Sequence, residues 1–74
     1  MLDANHVNAY GMRGIVYHQM AEIEKALLDW KELIRLGRGD LFRLPILKNK
    51  LVDEAFDPYR TDPRFGEIFE LAKE

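Results

Sequence analysis

The chain contains no cysteine and no serine, and Thr61 is its single threonine. Without thiols, neither a disulfide nor a thiolate metal site can reinforce the fold, and nothing points to an oxidising compartment. Without serine, hydroxyl nucleophiles for covalent catalysis are almost absent. No apolar run approaches the roughly eighteen residues of a membrane span. The opening MLDANHVNAYGMRG lacks the basic, apolar and small-residue segments of a secretory leader. A soluble, cytoplasmic protein with no membrane association is the expectation. The glycine-bearing GRGD at 37–40 lacks the lysine and hydroxyl residue of a phosphate-binding loop. Low-complexity tracts and linkers are missing too.

What is present fits one small domain. A chain of 74 residues hides only about 60% of its unfolded surface on folding, so its core must be small or shared. Charge is uneven: residues 1–34 carry three basic and five acidic groups, 35–50 five and one, and 51–74 three and seven. The simplest reading is a basic and an acidic surface that are both solvated. A nucleic-acid contact through Arg35, Arg38, Arg43, Lys48 and Lys50 is the alternative, although single-strand binders interleave aromatic residues and here only Phe42 does so.

Hydrophobic periodicity is helical throughout. Val7, Tyr10, Gly14 and Tyr17 lie along one stripe of a first helix, while Met12, Ile15, Val16 and Met20 lie along the other. A helix apolar on two sides wants two neighbours. Asp3 is its expected N-cap. In the second helix Ile23, Ala26, Leu27, Trp30, Leu33 and Ile34 fill one face, and Gly37 and Gly39 supply the stop. The link at 20–22 is so short that the two helices must form an antiparallel hairpin. Asp40 can start a third element, restarted at Pro45 and running through ILKNKLVDEAF with Ile46, Leu47, Leu51, Val52 and Ala55 as its apolar positions.

The phrase FDPYRTDPRF, residues 56–65, holds two Asp-Pro pairs. Aspartate can cap a first turn while proline sits where no amide donor is missed, so each pair reads as a helix start. Asp57-Pro58 is expected to open a single turn, and Asp62-Pro63 a last helix carrying Phe65, Ile68, Phe69 and Ala72 on one side.

Tyr10, Gly14 and Tyr17, then Ala26, Trp30 and Leu33, give the 7–40 segment a pattern that resembles one tetratricopeptide repeat (TPR), a helix-turn-helix unit of about thirty-four residues. Gly14 and Ala26 are small enough to face each other at the helix crossing. Arg13 stands where leucine is usual, Ala21 where the turn usually has glycine, and no proline follows Leu36. Residues 41–74, through FDPYRTDPRF, are similar to the tail that follows the last repeat in many bacterial repeat proteins. The resemblance implies an all-α fold, a TPR-like antiparallel hairpin followed by two shorter capping helices within a single domain.

It also implies non-catalytic protein-protein interaction. In stacked repeats each unit leaves a face that its neighbour covers, and about three units are needed for a stable array. One unit and a tail leave the Met12 side uncovered, unless the last two helices fold back over it. The expected partner-binding residues are Asn8, Met12, Ile15, Val16, Gln19 and Met20, with another protein as the cover: a second copy in a homo-oligomer, or the missing repeats of a longer array. No cofactor, metal or catalytic residue is expected. His6 and His18 are twelve residues apart on different parts of the first helix, whereas a metal site needs several converging ligands; Asp53, Glu54, Asp57 and Asp62 suit helix starts and exposed turns, and Tyr10, Tyr17, Trp30, Phe65 and Phe69 have core spacing.

Overall fold

The structure, a computed structural model, describes residues 4–73, and side chains from Val7 to Lys73. Asp3, the expected N-cap, lies outside the described residues, as does the His6 side chain. The fold is all-α: among the described residues no strand occurs. The chain divides into two compact units, the first ending at Arg38 and the second beginning at Gly39.

In the first unit α1 (Ala4–Gln19) and α2 (Ile23–Arg35) pack antiparallel. The turn between them is a Schellman motif, in which the last carbonyls of a helix are satisfied by the two amides beyond its end. The Glu22 amide donates to the Tyr17 carbonyl at 2.8 Å and the Ala21 amide to the His18 carbonyl at 3.0 Å. This geometry needs a left-handed residue, and Ala21 supplies it at φ 62°. The same motif ends α2, where Gly37 has φ 80° and the Arg38 amide reaches the Leu33 carbonyl at 2.8 Å. Both stops thus use one device, with alanine in the first and glycine in the second.

Ala26, Leu27, Trp30 and Leu33 are buried, while Ile23 and Ile34 are half-buried. Side chains such as Leu27 and Leu33 each contribute about 1.5–3 kcal/mol by leaving water. The space beside Gly14 is taken by Trp30. A Cβ built at Gly14 would lie 2.2 Å from Nε1 of Trp30, and its nearest neighbours are all indole atoms. The missing side chain makes room for a ring, whose N–H donates to the Gly11 carbonyl at 3.3 Å.

The second unit is built from shorter pieces. A 3-10 turn at Gly39–Arg43 is followed by α3 (Pro45–Lys48), a second 3-10 turn at Glu54–Tyr59, and α4 (Gly66–Lys73). Pro45 opens α3 as expected, but the helix does not run on through residue 56. The Asp53 backbone is extended, at ψ 136°. Its carboxylate accepts from the Ala55 amide at 2.9 Å, so the side chain caps a new turn instead of continuing the old one. Asp57-Pro58 accordingly lies inside that turn and does not open it. Leu47 and Leu51 are buried, while Ile46 and Val52 are exposed.

Asp62-Pro63 does not itself open the last helix, which begins at Gly66; the Asp62 carboxylate accepts from the Arg64 amide at 2.9 Å and so caps the turn that precedes α4. Arg60 ties the segment together. Its Nη2 donates to the Leu51 carbonyl at 3.0 Å and the Asp53 carbonyl at 3.1 Å, its Nε to Asp57 at 2.8 Å, and its guanidinium lies 5.2 Å from the Phe69 ring centre. Phe42, Phe56, Phe65, Ile68 and Phe69 are buried. Phe56 meets Phe69 edge-on at 6.3 Å and Tyr59 meets Phe65 at 6.0 Å, the geometry aromatic quadrupoles prefer.

Candidate functional site

The site is one side of α1, and the packing of its other side defines it. Val7 and Gly14 are buried, and Gly11, Tyr10, Tyr17 and His18 are half-buried. At about 100° per residue these positions share the side that meets α2. Asn8, Met12, Val16 and Met20 follow one another at intervals of four on the opposite side, with Ile15 and Gln19 alongside. Met12 is 66% exposed, Met20 62% and Val16 48%. Asn8 and Gln19 are also exposed, and Ile15 is half-buried.

Six side chains expected to bind a partner therefore share one face, four of them apolar and two of them amides. Such a face costs free energy in water, roughly in proportion to its apolar area. Met suits an adaptable contact, because its unbranched chain and polarisable sulfur conform to varied surfaces. The amides of Asn8 and Gln19 each offer both donors and an acceptor, so they can pair with a backbone or polar side chain.

What holds α1 in this rotation is a polar clamp that the hydrophobic pattern does not reveal. Arg13 donates from Nε and Nη2 to the two carboxylate oxygens of Asp29, each at 2.7 Å. Asp29 is 6% exposed, the one buried charged residue among the described positions. The guanidinium also lies 5.7 Å from the centre of the Tyr10 ring and 5.8 Å from that of Tyr17. The Asp29 hydrogen bond, followed by its charge, raises the Arg13 pKa above its ordinary value, with the two tyrosines adding slightly and partial desolvation opposing. A planar fork bound at two points fixes both rotation and axial register of α1 on α2.

The pairing gives the arginine at position 13 a structural role. In the sequence Asp29 stands between Leu28 and Trp30, a place that by itself reads as part of a solvated face. Reading that aspartate as an inward charge would have required a matching cation on α1, and Arg13 is the only arginine or lysine in that helix.

The basic positions are distributed over several elements. Arg35 ends α2 and is ion-paired with Glu32. Arg38 follows α2, Arg43 ends the 3-10 turn, and Lys48 ends α3. Among the described residues no three His, Asp or Glu side chains converge on a point that could hold a metal ion. No described helix is long and apolar enough to cross a membrane. Compared with family models, with curated proteins and with solved structures, the chain matches none.

Proposed function

We propose that the chain is a non-catalytic protein-binding module of TPR type, and that the exposed side of α1 is its contact. The simplest occupant is a second copy of the same chain; adjoining repeats of a longer array would cover the face in the same way. The observation that carries this reading is the alignment of Met12, Val16 and Met20, each at least 48% exposed, on one side of a helix whose other side is fixed to α2. Exposed apolar groups gathered on one surface are a mark of interaction sites, whereas scattered ones are ordinary.

Light scattering across a dilution series tests it. Self-association predicts a mass that exceeds one chain at high concentration and falls on dilution. Ile15→Asp and Met12→Asp, which place a charge in the contact, should return the mass to a single chain. A mass that stays at one chain throughout would count against the second copy as occupant. The contact should hold or strengthen in sulfate. A steep loss of binding with added salt would instead favour nucleic acid at Arg35, Arg38, Arg43, Lys48 and Lys50.

A further inference from the structure

The second unit contains a concave surface with a character of its own. The end of α3, the turn after it and α4 border an open cleft of about 360 Å³, lined by Lys48, Leu51, Val52, Arg60, Gly66 and Phe69 among others. On α4 the residues that line it, Gly66, Phe69, Glu70, Ala72 and Lys73, are related by steps of three and four and so share one side. Leu51 and Phe69 are buried and form its apolar floor, while Val52 is 74% exposed.

Gly66 leaves the space open: a Cβ built there meets nothing within 4 Å. Gly66 is the first residue of α4, and no crowding at this position demands glycine.

The charges around the cleft are unequal in their commitments. Arg60 is held by two carbonyls and Asp57, and Lys73 lies 3.6 Å from Glu70. Lys48 makes no ion pair among the described residues. An apolar floor beside an uncommitted ammonium is complementary to an apolar group that carries a carboxylate. A site for a small ligand encloses most of its surface, whereas Val52, Glu70 and Lys73 here stand open to water. That openness suits one anchoring side chain of a larger molecule.

We propose that this cleft binds a protein segment presenting a bulky apolar side chain next to an acidic one. The proposal does not depend on the reading of the α1 face, which lies in the other unit.

The test is an NMR titration of the ¹⁵N-labelled full chain with a blocked peptide, acetyl-Gly-Glu-Phe-Asp-Gly-amide, and with a counterpart carrying lysine in place of both acids. Saturable shifts are expected at the amides of Lys48, Leu51, Val52, Gly66 and Phe69, with the basic peptide bound about fivefold or more weakly. Lys48→Glu should reverse that preference. Gly66→Leu should fill the cleft and weaken both peptides while the helical circular dichroism is retained. Equal binding of the two peptides, or acidic-peptide binding indifferent to Lys48→Glu, would overturn the proposal. So would shifts confined to α1, which would assign the peptide to the other face. Lys48-dependent sedimentation with phosphatidylserine vesicles, without peptide shifts, would overturn it in favour of a lipid surface.

Discussion

Ala21 closes the hairpin from a conformation that alanine resists. At φ 62° its Cβ crowds the following carbonyl, which costs an L-residue about 1–2 kcal/mol. The hydrogen bonds on either side, from Ala21 to His18 and from Glu22 to Tyr17, use only backbone atoms, so glycine would preserve both. Glycine also loosens the unfolded chain, which returns about 0.4–1 kcal/mol of the gain. Ala21→Gly should therefore stabilise the first unit by about 0.5–1 kcal/mol.

With an unfolding entropy of about 2.1 cal/mol/K per residue over this chain length, the expected rise in Tm is about 3–6 °C. Gly37→Ala, at φ 80° in the matching turn, should lower Tm by a similar amount. The chain has one tryptophan, and Trp30 is fully buried in this unit, so its fluorescence on heating reports the relevant transition. A Tm unchanged or lowered by Ala21→Gly would refute the left-handed turn and the Schellman closure with it.

Other substitutions separate effects that resemble each other in sequence. Gly14→Ala should destabilise by about 1–3 kcal/mol, because overpacking against Trp30 outweighs helix propensity. Gly11→Ala, where nothing lies within 4 Å, should stabilise by up to about 1 kcal/mol; urea titrations followed by Trp30 fluorescence should give opposite signs. Arg13→Met should lower Tm more than Asp29→Leu. The first strands a buried carboxylate, while the second releases an arginine whose side chain is 58% exposed and can be hydrated. Equal losses would contradict the clamp. Asp53→Ala should cost about 1 kcal/mol through loss of the cap and should speed amide hydrogen exchange at Ala55 and Phe56.

The hairpin was legible because α2 keeps its apolar groups in phase for its full length, from Ile23 to Ile34, and because Gly37 marks its stop. The exposed side of α1 was legible for the same reason: two stripes separated by half a turn cannot both meet one partner helix. Asp29 was not. A single aspartate between Leu28 and Trp30 looks like part of a solvated face, and only the reach of Arg13 from another helix makes it an inward group. In the second unit the prolines drew attention to Asp57 and Asp62, yet Asp53, with no proline after it, caps the middle turn. Capping there depends on an extended backbone at the aspartate, which residue identity leaves open.

The chain's three methionines allow the central claim to be tested directly. With ¹³C-methyl-labelled methionine, two of the three probes, Met12 and Met20, stand on the face assigned to a second copy. Recorded from micromolar to millimolar concentration, their methyl signals should shift or broaden together, and Met12→Asp should abolish the change at Met20. Methyl signals of Met12 and Met20 that stay fixed across the whole range would contradict association through this side of α1.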